Sequence, residues 1–285
     1  MPLRPPPDRA VDPFTVAILQ RLDGILTANS TPHFLMGATA RELLLWNVFG
    51  VAVERATEDV DFAVAAEDWR AFGVIKEGLI GSGDFRPDDA RVHRLYYSPT
   101  ARSPGYRVDI VPFGGLEAPS GQIAWPPDND VRMNVAGFRE SLAAATHVQI
   151  ADELIVPVAS LPSLAVLKVF AWSDRKDTTK DALDLALLLR TYAVAGNEDR
   201  LFGPAIGFME AANYDLTQAG AQLLGADARD QMLPDTARAL VAIVTDPRRR
   251  EKLTLQMAPA LRMASDPVQF AESLVAQFIA GLAGP

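Results

Sequence analysis

The amino-acid sequence predicts a mixed α/β (α+β) fold, with a small mixed sheet in the first half and a helical C-terminal domain. Between residues 33 and 158, short runs rich in Val, Ile, Phe and Tyr alternate with helical patterns and turn signals. Beyond residue 160, Ala- and Leu-rich segments with helical spacing are separated by prolines. We therefore expect a catalytic domain over residues 1–155 and a helical domain over 156–285 that contributes to its cleft.

The elements of the first domain follow from local patterns. Apolar residues at helical spacing predict a helix over residues 13–26. "HFLMGAT" predicts a strand that ends in a turn at Gly37, with a helix beginning near Thr39. A strand over residues 59–64 precedes an amphipathic helix in "AEDWRAFGVIKEGLIGSG". "HRLYYS" and "YRVDIVPF" are predicted to be neighbouring strands, and "THVQI" and "LIVPV" to form a hairpin.

The second domain is predicted to consist of helices. "SLPSLAVLKVFAWSDR" begins with a serine cap and a proline in its first turn. "TTKDALDLALLLRTYA" begins with a threonine cap and an acidic first turn. Prolines at positions 204, 234, 247, 259 and 267 divide the remaining periodic segments.

Composition excludes several classes of function. The 27 basic and 36 acidic residues give a net charge of −9, which is spread evenly and argues against a dedicated basic nucleic-acid-binding domain. The absence of cysteine excludes disulfides, thiolate metal sites and thiol nucleophiles. No signal-like segment or long apolar run is present, so we expect a cytoplasmic protein with no membrane partner.

Three carboxylates carry the chemistry predicted for the first domain. Asp59 and Asp61 flank Val60 on one strand, so both side chains project to the same face. Two carboxylates this close repel each other unless a proton or a cation lies between them. Asp109, in "YRVDIVPF", joins them if the two strands are adjacent. Because hard divalent cations prefer carboxylate oxygens, the three acids predict a metal site that acts on phosphates.

A glycine turn precedes these acids in "MGATARE". Gly37 lies directly before the predicted helix, whose first N–H groups and positive dipole end attract phosphates. The hydroxyl of Thr39 adds a donor at the same place. Arg41 and Arg55 are further candidates to reach phosphates, with solvated positions as the alternative.

This order of motifs resembles the nucleotidyltransferase superfamily with the DNA-polymerase-β-like palm, and is most similar to the AbiEii/AbiGii and MenT-type toxin nucleotidyltransferases. The family pattern is a glycine turn, an acidic pair on a strand and a later single acid. The toxin branch adds a helical lysine and arginine seven residues apart and a "KDxxD" helix. The matching residues are Gly37-Ala38-Thr39, Asp59-Val60-Asp61, Asp109, Lys168, Arg175 and "KDALD" from Lys180 to Asp184. The resemblance covers residues 33 to 190, and Ala38 in place of a second glycine departs from the pattern.

The resemblance implies an activity and a role for each matching residue. NMP would pass from an NTP to an acceptor hydroxyl, with tRNA 3′ ends as the acceptor and an antitoxin protein as a partner. Two Mg²⁺ ions, which Mn²⁺ would be able to replace, would be held by Asp59, Asp61 and Asp109. Asp109 would also help to deprotonate the acceptor. The implied nucleotide-binding residues are Gly37, Ala38, Thr39, Arg41, Lys168 and Arg175. Lys168 and Asp181 would complete the catalytic set, with Asp184 as the fallback for Asp181.

Other interpretations remain open at this point. An acidic surface suits a cationic small molecule such as an aminoglycoside better than tRNA, and a protein hydroxyl is a further acceptor. A non-catalytic nucleotide-binding module is the alternative of another class. Lys168 could extend from an apolar helix to solvent, and Arg175 could pair with Asp174 or Asp177. Asp181 and Asp184 could oppose a helix dipole. "RRREK" at 248–252 is either a solvated helix end or an RNA contact.

Overall fold

The chain divides into two compact units. The computed structural model describes residues 1–53, 59–100, 105–118, 121–175 and 178–284, so Arg55 and Asp177 lie outside the described residues. Contacts group the chain into Met1–Ser160 and Leu161–Pro285. Within the described residues, no helix is both long enough and apolar enough to cross a membrane.

The first unit is built on a seven-stranded mixed sheet in the order β3-β4-β5-β2-β1-β9-β8. Two neighbouring pairs, β2 with β5 and β1 with β9, run parallel, and the other neighbours run antiparallel. A separate two-stranded sheet pairs β6 with β7. The strands are β1 (His33–Met36), β2 (Asp59–Ala66), β3 (Phe85–Pro87), β4 (Arg94–Tyr97), β5 (Tyr106–Gly114), β6 (Gln122–Ala124), β7 (Arg132–Asn134), β8 (Thr146–Ala151) and β9 (Leu154–Val158).

Helices accompany this sheet and complete the first unit. They are a 3₁₀ turn (Pro7–Arg9), α1 (Pro13–Ala28), α2 (Gly37–Glu42), a π-helical segment (Leu43–Val48), α3 (Trp69–Gly81) and α4 (Phe138–Ala143). The predicted helix after β1 therefore begins at Gly37, two residues earlier than expected, and changes to π-helical geometry after 6 residues.

The second unit is helical throughout its described part. Its helices are α5 (Leu161–Asp174), α6 (Lys180–Thr191), α7 (Glu198–Leu201), α8 (Ile206–Ala211), α9 (Leu216–Gln231), α10 (Pro234–Thr245), α11 (Pro247–Met257), a 3₁₀ turn (Ala258–Leu261) and α12 (Pro267–Ala283). Together with the mixed sheet of the first unit, these helices confirm the predicted mixed α/β fold class.

An Asp-Pro pair begins three of the longer helices. Asp12, Asp246 and Asp266 accept backbone N–H bonds at the starts of α1, α11 and α12, and a proline follows each of them. The aspartate satisfies N–H groups that have no partner in the first turn, and proline has the φ angle that the first helical position needs. The helix α6 departs from its expected cap. The N–H of Lys180 donates to Oγ1 of Thr178 at 3.2 Å, and Thr179 makes no such bond.

Candidate functional site

The parallel pairing of β2 with β5 brings the three predicted carboxylates together. Asp61 lies opposite Asp109 in the register, and Asp59 lies two residues before Asp61 on the same face. Carboxylate oxygens from all three residues lie within 4.8 Å of one another. Asp109 is 9% exposed, so part of this negative charge is held away from bulk water.

Two arginines lie against these acids. Arg94 is opposite Asp109 on the antiparallel strand β4 and donates to it twice, at 2.7 and 2.6 Å. Arg107 is opposite Asp59 in the register and forms an ion pair with it. The hydrogen bonds to Asp109 raise the pKa of Arg94, so this guanidinium stays charged. The two cations balance two of the three negative charges.

Both arginines were absent from the predicted site, although the sequence contains a signal for each of them. Arg107 lies two residues before Asp109 on β5, so the two side chains share a face. Arg94 is a charged residue inside a run of strand-forming residues. Clustered carboxylates require nearby positive charge, and these were the cations that the neighbouring strands could supply.

The donor set fits a hard divalent cation. Three carboxylates provide only oxygen ligands, which Mg²⁺ and Mn²⁺ prefer over nitrogen or sulfur. Arg94 and Arg107 offset only part of the negative charge that the three acids concentrate at the cluster. A carboxylate has about four lone-pair sites, so a guanidinium partner does not prevent Asp59 or Asp109 from binding a metal.

Gly37 is required by the close approach of Asp61. Met36, the last residue of β1, lies opposite Asp61 in the register, and Gly37 follows with φ of +72°. A Cβ atom at residue 37 would lie 2.0 Å from Oδ2 of Asp61. Residue 37 therefore has to be glycine both for its backbone conformation and for the position of the catalytic candidate Asp61.

Replacing Gly37 with alanine is expected to lower the free energy of unfolding by about 1–2 kcal/mol, because alanine is strained at positive φ. The same change is expected to weaken divalent-cation binding, since the new methyl group displaces Asp61. Urea denaturation and calorimetric metal titration would measure the two effects. Gly24→Ala is the matched control, because nothing lies within 4 Å of a Cβ there. Equal behaviour of the two variants would contradict this account.

The other residues of the turn are buried. Ala38 is 9% exposed and Thr39 is 7% exposed. The Thr39 hydroxyl donates to the carbonyl of Asp59 at 2.7 Å, so here it connects α2 to the start of β2. Arg41 is 2% exposed, and the interpretation of Arg41 as a solvated residue is therefore wrong. Packing of α2 against the sheet encloses it, which a sequence pattern alone does not indicate.

Removing Arg94 is expected to destabilise the metal-free protein by about 2 kcal/mol, because Asp109 then loses both hydrogen bonds of a largely buried pair. Addition of Mg²⁺ is expected to recover part of this loss in Arg94→Met. Thermal unfolding with and without the ion would measure both effects. Arg91→Met, at an exposed neighbouring position, should show neither. If Mg²⁺ does not change the loss of stability in Arg94→Met, Asp109 is not shared between Arg94 and the metal ion.

The predicted residues of the second unit lie together in a buried cluster. Lys168 Nζ lies 3.0 Å from Asp181 Oδ1 and 2.6 Å from Asp184 Oδ2, and Arg175 Nη1 lies 3.1 Å from Asp181 Oδ2. Asp181 and Asp184 are 1% and 4% exposed. The interpretation of Lys168 as a side chain that extends to solvent is wrong, because its amine binds both acids. Arg175 pairs with Asp181, and its own side chain is exposed.

Most of the sequence matches the model of one known protein family. Residues 23–270 match the family model described as "Nucleotidyl transferase AbiEii toxin, Type IV TA system". This range includes every candidate site residue. It also extends well beyond residue 190, the end of the resemblance that the sequence motifs indicated. No curated protein sequence matches the chain.

Several solved structures show weak similarity. The antibiotic-resistance factor ANT(2'')-Ia is 13% identical with a TM-score of 0.39, over 72% of this chain and 99% of that one. An antigenic nucleotidyltransferase-like protein from Paracoccidioides brasiliensis is 16% identical with a TM-score of 0.42, over 72% and 90%. The Thermotoga maritima CCA-adding enzyme is 13% identical with a TM-score of 0.27, over 96% and 82%. Similarity at these sequence identities and TM-scores does not identify the substrate of this protein.

The family match, in contrast, spans most of the sequence and confirms the predicted resemblance. The chain belongs to the AbiEii family of nucleotidyltransferases, and it is a nucleotidyltransferase.

Proposed function

We propose that the protein is a Mg²⁺-dependent enzyme that transfers NMP from an NTP to the 3′ end of tRNA and acts as the toxin of a toxin–antitoxin system. The observation that carries the metal dependence is the convergence of Asp59, Asp61 and Asp109, whose oxygens lie within 4.8 Å of one another. Three carboxylates on two rigid strands suit a reaction in which positioning and charge neutralisation provide most of the catalysis.

In this proposal, each predicted site residue of the first unit has a defined role. Asp59, Asp61 and Asp109 hold the metal, which when bound supplies positive charge to the reacting phosphate. Asp109 also accepts the proton of the acceptor hydroxyl. The hydroxyl oxygen bonds to the α-phosphorus as the bond from that phosphorus to pyrophosphate breaks. Gly37, Ala38 and Thr39 contact the β- and γ-phosphates, and Arg41 supports this turn from its buried position.

For the second unit we propose that Lys168 binds phosphate and Arg175 assists it. Asp181 and Asp184 hold the lysine amine at 3.0 and 2.6 Å, so they act as positioning residues for Lys168. Both acids are almost fully buried, which fixes the lysine more tightly than an exposed pair would.

A local basic surface supports RNA as the acceptor. The first turns of α11 carry three consecutive arginines, Arg248 to Arg250, followed by Lys252. Arg249 Nη1 lies 3.3 Å from Ser173 Oγ, near the end of α5 and two residues before the exposed Arg175. Clustered cations of this kind bind phosphate backbones even on a protein of net negative charge.

The runner-up is a cationic small-molecule acceptor, such as an aminoglycoside. The observation that favours it is the net charge of −9, which attracts polycations and weakens non-specific binding of RNA.

The deciding experiment offers both acceptors to the full-length protein. Purified enzyme is incubated with Mg²⁺, each α-labelled NTP in turn, and either total tRNA or an aminoglycoside, with Asp61→Ala as the inactive comparison. Label on tRNA from wild type alone would support the proposal. Label on the aminoglycoside alone would replace it with the runner-up. Label on neither would contradict both acceptors.

The toxin role and its partner have their own test. Because the family model describes the toxin of a Type IV system, we propose that an antitoxin protein exists and that both act in the cytoplasm, where tRNA and NTPs are found. Induced expression is expected to arrest growth, and co-expression of a small neighbouring gene is expected to relieve the arrest. Normal growth during induction of the active enzyme would contradict a toxin role.

A further inference from the structure

A cavity in the first unit has no ligand assigned to it by the roles above, although Thr39 belongs to its lining. It encloses about 360 Å³ between the start of α1, the α2 and π-helical segment, and the start of β5. Its lining includes Asp12, Phe14, Thr39, Glu42, Trp46 and Tyr106, and we refer to it as the aromatic pocket. Its volume lies in the range of pockets that bind small molecules, which begins at about 300 Å³.

We propose that the aromatic pocket binds a nucleobase that carries an exocyclic amino group, as adenine, cytosine and guanine do and uracil does not. This inference rests on the proposed function, because it assigns a base-recognition site to the same nucleotidyltransferase. The base belongs either to the NTP or to the terminal nucleotide of the acceptor, and both present the same chemistry.

Aromatic side chains support a flat ligand. Phe14 and Trp46 are 44% and 42% exposed, although large apolar side chains usually bury more of their surface. The Phe14 ring lies 5.5 Å from the Tyr106 ring at an interplanar angle of 78°, so these rings form a fixed wall. Bases stack on such rings whatever their sequence, because every base has a π face.

The charge of the pocket selects the part of a nucleotide that enters it. Asp12 and Glu42 are its lining carboxylates, and they repel phosphate groups. Oδ1 of Asp12 makes both cap bonds of α1, which leaves Oδ2 outside the cap. Carboxylates accept hydrogen bonds and cannot donate them, so they favour an exocyclic amino group, which offers two N–H donors, over uracil, whose base edge has one N–H between two carbonyls. Burial, with Asp59, Asp12 and Glu42 nearby, raises the pKa of Tyr106 to about 12, which keeps its hydroxyl protonated.

The pocket adjoins the metal site. Thr39 lines the pocket and donates its hydroxyl to the carbonyl of Asp59. Tyr106 lines it as well and directly precedes Arg107, the ion-pair partner of Asp59. A base held here therefore lies next to the strand that carries the acidic pair, as recognition of a reacting nucleotide requires.

Calorimetric titration with adenosine, cytidine, guanosine and uridine tests the inference. The full-length protein is used without divalent metal, so that neither phosphates nor catalysis contribute. At least one amino-bearing nucleoside is expected to bind roughly tenfold more tightly than uridine. Trp46→Ala is expected to weaken that binding by roughly tenfold through lost stacking, and Glu42→Gln to remove the preference over uridine.

Matched controls separate the pocket from general effects on the fold. Phe202→Ala removes another exposed aromatic ring, and Glu77→Gln changes an exposed acid on α3; neither should alter nucleoside binding. Binding that ignores both Trp46→Ala and Glu42→Gln would overturn the inference. So would equal binding of uridine, or no binding of any nucleoside up to about 10 mM.

Two further measurements assign the base and separate this inference from the proposed function. In Trp46→Ala, a raised KM for NTP alone assigns the base to the NTP, and a raised KM for the acceptor alone assigns it to the acceptor. The Asp61→Asn variant should bind nucleosides as wild type does, because binding needs no catalysis. Absent nucleoside binding with intact transfer would reject the pocket only, and intact binding without transfer would reject the proposed function only.

Discussion

Asp61→Asn is expected to lower the rate of nucleotidyl transfer by roughly 10³-fold or more, which corresponds to several kcal/mol of lost transition-state stabilisation. Asp61 lies between Met36 and Asp109 in the sheet, at the centre of the carboxylate cluster. An amide of the same shape has no charge with which to hold a cation. The variant is expected to remain folded, because the amide keeps the size of the carboxylate and one of three clustered negative charges disappears.

Initial rates of label transfer and urea denaturation would measure the two expectations together. Asp89→Asn is the matched control, because Asp89 is an exposed acid of the same unit, and it should retain wild-type activity. A folded Asp61→Asn protein with more than about a tenth of wild-type activity would exclude Asp61 as a metal ligand, because loss of a ligand removes several kcal/mol.

Lys168→Met is expected to give the largest loss of stability, about 3–5 kcal/mol. The change leaves Asp181 and Asp184 buried without the amine that binds both. Arg175 does not replace it, since its ion pair reaches Asp181 and its side chain is 59% exposed. Methionine keeps the length of the side chain, so the lost charge and not a cavity accounts for the effect.

Urea denaturation of Lys168→Met would measure this loss, with Lys180→Met, an exposed lysine on α6, as the control. The double variant Lys168→Met/Asp184→Asn should lose less stability than the sum of the losses in the two single variants. Both substitutions remove the same ion pair. A loss below about 1 kcal/mol for Lys168→Met, the range of exposed pairs, would mean that the cluster is not buried as described.

Much of the sheet follows from local sequence patterns. Runs of β-branched and aromatic residues correspond to β1, β2, β4, β5, β8 and β9. The i, i+2 spacing of Asp59 and Asp61 was sufficient to predict a shared face, whereas Asp109 joins them only because β5 lies beside β2. The strands themselves and the shared face of Asp59 and Asp61 depend on local composition and on alternation along a single strand, which the sequence shows directly.

Features that depend on register and enclosure were not predictable. The three-residue strands β3, β6 and β7 are too short for alternation to identify them. The pairs of Arg94 with Asp109 and Arg107 with Asp59 depend on which residues face each other across strands. The burial of Arg41 and the two partners of Lys168 depend on packing between elements. A charged residue in an apolar helix fits either solvent or a buried partner, and the sequence does not distinguish them.

The parallel pairing of β2 with β5 also makes metal binding a reporter of folding. Asp61 and Asp109 adjoin only when these strands, which are distant in sequence, have docked in the sheet. Because such non-local pairing forms slowly, partly folded chains lack the complete cluster. A divalent cation should therefore slow amide hydrogen exchange along β5, and during refolding its binding should appear together with that protection.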